Sequence, residues 1–485
     1  MTVNRAHEYA CINSCIRRML INRVGGSLLD CDNEPSTHKK RLLLHIERPE
    51  NVKFIIERLE EAGFEAYAVG GCVRDSLLNR VPNDWDITTS AKPLETKALF
   101  KRTFDTGIKH GTISILLGDE IYEVTTYRID GEYEDARHPK EVTFTSKLKD
   151  DLLRRDFTIN AMAYNPKRGL VDLYGGVQDL KDKIIRCVGN PYDRFSEDAL
   201  RIMRAVRFAA QLDYSIAKET REAIKELAPT LSKISAERIQ TELIKMMTSS
   251  HPEYIHMAYE LGLTKVFMPE YDATVNCFQN NPHHMDTVEE HTLKVLKNTA
   301  SDKCLRLAAL FHDFGKVATK TTDAKGIDHF YGHPNKSAEI ARGIFKRLKF
   351  DKDTENRVCH LVEVHDWTIG AVAENMRRYV NRIGEEYFPD VFSLNKADVL
   401  GQVGDVDGKL KHIDELEAAY NVIKERGDCV SIKSLKVTGG DVIASGIPAG
   451  PEVGRILSAL LEEVLEDPSK NEKNYLLSRI KSSGE

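Results

Sequence analysis

The chain has 485 residues, 30% of them charged and 41% apolar, with a formal net charge of −6. Such a chain is long enough for roughly two to four domains. Its charge excludes a globally basic nucleic-acid binder, so any RNA contact must rest on local basic faces. No apolar run is long enough to span a membrane. The nine cysteines form no C-x-x-C pair, which suits free thiols in a reducing cytoplasm better than a disulfide frame or a zinc knuckle.

Residues 1–46 read as a poorly ordered extension. Arg17-Arg18-Met-Leu-Ile-Asn-Arg23 has amphipathic spacing, but Glu8, Asp30, Asp32 and Glu34 are acidic, and there is no clear apolar core or cleavage site of a targeting peptide. From Pro49 to Gly63 the spacing of Val52, Ile55, Ile56 and Leu59 predicts an amphipathic helix closed by glycine. Tyr67 to Val69 then reads as a buried strand that Gly70-Gly71 breaks, with a helix starting over Val73 to Leu78. Glycines at a strand-to-helix turn let the backbone approach a bound group, and the amides at a helix start suit an anion. Arg74 adds a fork of donors for phosphate oxygens.

Asp84-Trp85-Asp86 reads as strand, where residues two apart share a face, so both carboxylates project together. Converging carboxylates repel unless a cation lies between them, and Mg²⁺ is a fitting oxygen-seeking occupant. Taken singly, the glycines are also consistent with an ordinary turn and Asp-x-Asp with a solvated loop; together, in this order, they favour nucleotide chemistry. A helix over Pro93 to Phe100 follows, then β-rich runs Thr112–Leu117 and Ile121–Tyr127 joined by Gly118-Asp119-Glu120, a hairpin signal. Glu123 on the second run is either a third carboxylate of the site or an exposed strand residue. Residues 128–140 form a long polar loop, disordered or a mobile functional element.

Arg154-Arg155-Asp156, read as preceding an apolar helix, offers donors and an acceptor that suit a ribose. Val171 to Val177 reads as a turn between strands. Ser196 is a suitable N-cap for a helix running through Ala199 to Leu212, with Glu197 and Asp198 in its first turn. Asp198, Arg201, Arg204 and Arg207 recur every third residue, a row that drifts about 60° per step. Such a row is either a surface ion-pair stripe or a triphosphate cradle with one Asp–Arg pair left to meet a base. Cytosine and adenine each place an amino donor beside a ring-nitrogen acceptor, whereas guanine and uracil present the reverse. A carboxylate next to a guanidinium therefore matches C or A, and each buried mismatch costs about 1–3 kcal/mol.

In order, the chain contains Gly70-Gly-Cys-Val-Arg-Asp75, Asp84-Trp-Asp86, Arg154-Arg-Asp-Phe-Thr-Ile-Asn160, Glu197-Asp-Ala-Leu-Arg201 with Arg204 and Arg207, and Ser235-Ala-Glu-Arg238. This series resembles the motifs of the class II CCA-adding tRNA nucleotidyltransferases, which share their head domain with bacterial poly(A) polymerases, over residues 47 to 480. The resemblance implies Asp84 and Asp86 as catalytic Mg²⁺ ligands, with Glu123 a less secure third member. It implies nucleotide contacts at Gly70, Gly71, Arg74, Arg155, Asp156, Asn160, Asp198, Arg201, Arg204 and Arg207. Among these, Arg155 and Asp156 sit at the sugar and phosphates, Asp198 and Arg201 read the base, and Arg204 and Arg207 support the triphosphate. The loop with Asp130-Gly-Glu-Tyr133 and Arg137-His-Pro139 is similar to the family's flexible element for the final A, which argues against a CC-only enzyme.

Helices are predicted over Glu219–Leu227, Ala236–Met247 and Glu253–Leu261. Further on, His291 lies on a predicted helix, His312-Asp313 ends the apolar helix from Leu305, and His333, His360, His365-Asp366 and Asp398 follow. Histidines with a His-Asp pair and a distant Asp can ligate a divalent metal. The pattern resembles the HD phosphohydrolase superfamily, with His291, His312, Asp313 and Asp398 matching its metal positions and His333 and His365 extending toward a second metal. A helical module that keeps these residues without catalysis fits equally. The glycines and prolines from Thr438 to Gly454 resemble the family's helical tail.

The expected fold is α+β: an extension at 1–46, a small nucleotidyltransferase head with a mixed sheet at 47–180, and a helical neck and body at 181–275. An HD-type helical domain at 276–400 and a helical tail at 401–485 complete it. The implied function is stepwise addition of C, C and A to the 3′ end of tRNA from CTP and ATP in the cytoplasm, by a monomer or homodimer that binds no membrane. Two alternatives are a poly(A) polymerase on the same head and a phosphohydrolase acting through the HD cluster, with a second divalent metal there.

Overall fold

The computed structural model describes residues 46–131, 142–281, 286–366 and 373–482. The extension (up to residue 45) and most of the polar loop, with Tyr133 and Arg137-His-Pro139, lie outside the described residues.

The first helix, α1 (Glu50–Glu61), buries Val52, Ile55, Ile56 and Leu59 completely. Each such side chain contributes about 1.5–3 kcal/mol relative to exposure. Strand β1 (Ala66–Val69), helix α2 (Gly71–Leu77), strand β2 (Ile87–Thr89) and helix α3 (Pro93–Leu99) follow. Strands β3 (Thr103–Gly107), β4 (Thr112–Leu117) and β5 (Glu120–Thr126) come next, with Gly118 at φ 61° turning β4 into β5. A short ribbon, β6 (Arg128–Asp130) with β7 (Val142–Phe144), brackets the polar loop; strands of three residues are too short to show a periodicity that would predict them. Helix α4 (Leu148–Leu153), β8 (Met162–Asn165), β9 (Gly169–Asp172) and α5 (Gly176–Asp182) complete the head.

The seven-stranded sheet has the order β3-β4-β5-β2-β1-β8-β9. β2 and β5 are parallel, with Ile87 opposite Val124, and the other neighbours are antiparallel, so the sheet is mixed as expected. Tyr67, Val69, Tyr127, Leu148, Leu152 and Ala163 form the core between sheet and α4.

Four local expectations are corrected. Asp84-Trp85-Asp86 precedes β2 instead of lying in it; only the Asp86 carbonyl is tied to β1, accepting the Val69 N–H at 3.0 Å. Arg154-Arg155-Asp156 follows α4, and a single 3₁₀ turn (Thr158–Asn160) and β8 come after it, not an apolar helix. Val171 to Val177 joins β9 to α5, a strand to a helix. Ser196 lies inside α6 (Pro191–Glu197), which stops at extended Asp198 before α7 (Leu200–Leu212) begins. Asp198 takes the capping role itself, accepting the Leu200 N–H at 3.0 Å.

Beyond the head the strands reduce to two-residue pairs. Helix α8 (Lys218–Leu227) and α9 (Ala236–Met247) follow, α9 packing on α7. Short helices α10 (Ile255–Glu260), α11 (Thr264–Phe267) and α12 (Pro269–Val275) lead to α13 (Val288–Asn298), α14 (Lys303–Phe311) and α15 (Lys316–Thr319). Helices α16 (His333–Arg347), α17 (Lys352–Val364), α18 (Ala373–Ile383) and α19 (Phe388–Gly401) come next, and α13 packs on α19. After α20 (Val406–Arg426), the helices α21 (Gly439–Ala444), α22 (Pro451–Glu466) and α23 (Lys473–Ser482) enclose a tail core with Val442, Leu461, Val464, Leu465 and Leu476 at its centre. Among the described residues no helix is long and apolar enough to cross a membrane.

Every cysteine among the described residues is a free thiol. Burial pushes Cys187 up to about 12 and Cys359 up to about 11. Because only the thiolate reacts, these two should resist alkylation at pH 8 in the native chain and react on unfolding in urea, whereas half-buried Cys277 and Cys304 should label before them. Peptide mapping of alkylated protein reads this order; native Cys187 labelling as fast as Cys304 would contradict the packing.

Candidate functional site

The site grows from the end of β1. Gly70, at φ 84°, donates its N–H to the Met162 carbonyl at 3.1 Å, and a β-carbon there would lie 2.8 Å from Arg155 Nη1. The bare α-carbon is what lets the Arg155 guanidinium lie against the turn. Gly71 opens α2, which is only seven residues long, and Arg74, its fourth residue, is buried. Arg74 meets Asp75 through two 2.9 Å bonds from Nε and Nη2, and its Nη1 donates to Asn160 Oδ1 at 2.7 Å.

Asp84 and Asp86 are exposed while Trp85 between them is buried, so the aromatic anchor turns both acids outward. The parallel register of β2 and β5 brings Glu123 to the same end of the sheet. Crowding by surrounding protein raises the Asp86 carboxyl above its usual range; Arg155 opposes the shift, and Asp84 and Glu123 add to it. Solvent still reaches Asp86, so the like charges matter more here than desolvation. A carboxylate that resists ionising beside two others fits a hard divalent cation, whose charge removes the conflict.

Behind this edge lies a buried network. Asp151, fully buried on α4, accepts from Arg154 Nε at 3.0 Å and Nη2 at 2.8 Å and from the Thr88 hydroxyl at 3.1 Å, with Arg155 Nη2 at 3.6 Å. Burial works against the Asp151 charge, but the two arginines outweigh it and hold its carboxyl below the usual range. Asp156 accepts from Asn160 Nδ2 at 3.1 Å and from the Phe157 N–H at 2.8 Å. Its other oxygen meets Arg204 Nε at 2.8 Å and Nη2 at 2.6 Å. Burial again opposes ionisation, and Arg204 with Asn160 lowers the carboxyl in spite of it.

The drifting row on α7 sends each arginine to a different partner. Arg201 donates to the carbonyls of Arg194 and Arg154, both at 2.9 Å, and pairs with Glu197. Arg204 reaches Asp156, and buried Arg207 donates to Glu242 Oε2 and Gln211 Oε1 at 2.8 and 2.9 Å. Asp198 is gripped bidentately by Arg238 of α9, at 2.7 and 3.2 Å. The expected nucleotide set is thus assembled around β1, the 3₁₀ turn and α7. Asp151, Phe208 and Glu242 escaped the sequence reading, and Arg238 was singled out without a role. The spacing of Asp151 to Arg154 and Arg155, three and four residues on and so reachable across the end of α4, was the available signal.

The second cluster is also brought together. His291 Nε2 lies 2.8 Å from Asp398 Oδ1 and 3.3 Å from His312 Nε2, and His312 Nε2 lies 3.2 Å from Asp313 Oδ2. On the other side, His333 Nε2 is 3.3 Å from Asp313 Oδ1 and from His365 Nε2. In all four imidazoles Nδ1 faces a backbone carbonyl: Gly401 for His291 (3.3 Å), Ala309 for His312 (2.8 Å), Phe330 for His333 (2.9 Å) and Val362 for His365 (2.7 Å). A Nδ1–H held this way presents Nε2 as the ligand atom. Fully buried Asp313 has no donor at either oxygen with good hydrogen-bond geometry, though Lys316 Nζ stands 2.7 Å away. Burial disfavours charge on His312, yet Asp313 and Asp398 more than offset it and raise it to about 10; burial, then the charges of His312 and His333, lowers His365 to about 3. The carboxylates therefore call for positive charge at the centre. His360 lies apart, its Nε2 against the Ile383 carbonyl.

A mixed-sheet head carrying a glycine turn and paired acids, followed by helices, defines a nucleotidyltransferase of the poly(A) polymerase head type. Residues 66–186 match the family model "Poly A polymerase head domain", 213–274 match "Probable RNA and SrmB- binding site of polymerase A", and 323–480 match tRNA nucleotidyltransferase domain 2. The chain is 34% identical over 433 residues to the CCA-adding enzyme of Pediococcus pentosaceus, covering 89% of this chain and 97% of that protein. It is 54% identical over 193 residues to that of Enterococcus faecalis, 40% of this chain and 48% of the relative. The solved Bacillus stearothermophilus CCA-adding enzyme in complex with CTP superimposes with a TM-score of 0.68 at 28% identity, over 89% of this chain and 96% of that one. The chain belongs to the CCA-adding enzyme family.

Removing Asp151 leaves half-buried Arg154 and Arg155 without their buried counter-charge. Asp151→Ala should cost about 3 kcal/mol or more in urea unfolding. A loss under 1 kcal/mol would show that the network does not organise this part of the head.

Proposed function

We propose that this chain adds C, C and A to the 3′ end of tRNA from CTP and ATP, without a nucleic-acid template, in the cytoplasm. The observation that carries the reading is the outward-turned pair Asp84 and Asp86, at the sheet end that also holds Glu123, beside the Arg155-lined glycine turn. Asp84 and Asp86, with Glu123, are the residues that would hold Mg²⁺. Bound there, the ion supplies the charge that polarises the α-phosphate and lowers the pKa of the tRNA 3′-hydroxyl. Gly70 and Gly71 give the nucleotide a close approach, and Arg74, Arg204 and Arg207 take the triphosphate. Arg155 and Asp156 orient the sugar end, Asn160 fixes Arg74, and in-line attack releases pyrophosphate. Asp198 and Arg201 form the donor–acceptor pair for C or A, which makes the polypeptide the source of base choice. The layout that supports this is a head at 47–180, neck and body at 181–275, an HD-type region at 276–400 and a tail at 401–485.

A second reading belongs to the HD cluster: His291, His312, Asp313 and Asp398 hold a divalent metal, and His333 and His365 extend the site. The four Nδ1–carbonyl contacts support it.

Purified chain incubated with tRNA lacking its terminal CCA and each nucleotide in turn should extend with CTP by two residues and then with ATP by one. Growth with ATP alone, without limit, would instead identify a poly(A) polymerase. Asp86→Asn should lower the rate roughly a thousandfold, matching the several kcal/mol a metal contributes to phosphoryl transfer; a loss under tenfold would contradict the assignment.

For the HD cluster, metal analysis of the purified full chain should find a bound divalent transition metal. Asp313→Ala should lower its retention at least tenfold while leaving nucleotide addition within about twofold. Equal metal content in the two proteins would overturn the second reading.

A further inference from the structure

We propose that Phe208 is a positioning residue for the incoming triphosphate, its ring gathering three guanidinium groups into one anion-binding array. The inference rests on the reading that Arg74, Arg204 and Arg207 take the triphosphate. The guanidinium carbons of those three residues lie 5.0, 5.3 and 3.7 Å from the centroid of this single ring. All three distances are within cation–π range.

Three like charges brought this close repel one another. Part of that repulsion is offset by carboxylates, since Asp75 pairs with Arg74, Asp156 with Arg204 and Glu242 with Arg207. A carboxylate, however, uses up N–H donors as it neutralises. The negative face of an aromatic ring attracts the same charge without consuming any donor. Arg204 spends Nε and Nη2 on Asp156, and Arg207 spends Nε on Glu242 and Nη1 on Gln211. That leaves Nη1 of Arg204 and Nη2 of Arg207 outside these bonds, available to phosphate oxygens.

The ring is itself immobilised. Phe208 is 4% exposed, and Phe157 meets it edge-on, centroids 5.8 Å apart and planes at 81°. Phe157 directly follows Asp156, the partner of Arg204, so the ring is registered on the same segment as the acid. Arg74 comes from α2 of the head and the other two arginines from α7, so Phe208 is where arginines of the two regions converge. An aliphatic side chain would fill the volume but would leave the three charges without this attraction.

The test uses the full chain with truncated tRNA. Phe208→Leu should raise KM for both CTP and ATP about fivefold to tenfold, on the order expected for lost cation–π contacts. It should weaken inhibition by pyrophosphate in step and leave kcat within about twofold. Phe208→Tyr, which keeps the ring, should stay within about twofold of the parent in KM. Trifluorinated phenylalanine at position 208 keeps the shape and weakens the ring's negative face, so it should move KM in the same direction as leucine even if the leucine variant folds poorly. Unchanged KM in the leucine and fluorinated proteins, with only kcat or active fraction lowered, overturns the proposal. Arg204→Ala separates the two claims. A raised KM there with no effect at Phe208 removes the ring's role alone, whereas an unchanged KM at Arg204 removes the arginine reading beneath it.

Discussion

The ion pair between Asp156 and Arg204 joins the head to the first long helix after it. Its acid lies in the segment between α4 and the 3₁₀ turn, and its base is one turn into α7. Asp156 is buried and its charge persists only because Arg204 and Asn160 outweigh the cost of burial. The same carboxylate orders Asn160, and Asn160 in turn fixes Arg74. Breaking one half of such a pair strands a charge in a dry interior, at a cost of about 3–5 kcal/mol. Asp156, Arg204, Asn160 and Arg74 therefore form one coupled unit.

Two clusters in this chain pose the same electrostatic problem, converging carboxylates, in different surroundings. At the head edge, Asp84, Asp86 and Glu123 place negative charge where solvent still reaches it, which suits a labile, oxygen-loving ion that arrives with its nucleotide. In the helical region, buried Asp313 and partly buried Asp398 lie among imidazoles whose Nδ1 atoms face backbone carbonyls. That enclosed, nitrogen-rich donor set suits a resident transition metal. The difference in burial and in donor type separates the roles the two clusters can play.

Much of the head was legible because its signals are local. The apolar face of α1, the glycine break after β1 and the hairpin at Gly118 each lie within a few residues, and the structure places them as expected; the paired acids are equally local but precede β2 instead of lying in it. Where a local rule could be satisfied in two ways, the reading failed. Ser196 is a good capping residue, yet Asp198 caps α7 because Pro191 starts a separate helix before it. Pairings across the fold were the least legible. Arg204 finds Asp156 48 residues away, Asp198 finds Arg238 40 residues away and Arg207 finds Glu242 35 residues away. No periodicity links such partners; the packing of α7 on α9 and on the head creates them. Phe208 was hidden for a different reason, since an aromatic on a helix is ordinarily core, and only the surrounding guanidinium groups give it a further part.

The central claim is that the protein, with no template, tells C and A from G and U. Equilibrium binding of each triphosphate to the full chain in Mg²⁺, with no RNA present, examines it directly. CTP and ATP should compete for one site, with UTP and GTP at least tenfold weaker, the penalty for about one unmatched buried polar group. Equal binding of UTP and CTP would contradict the account.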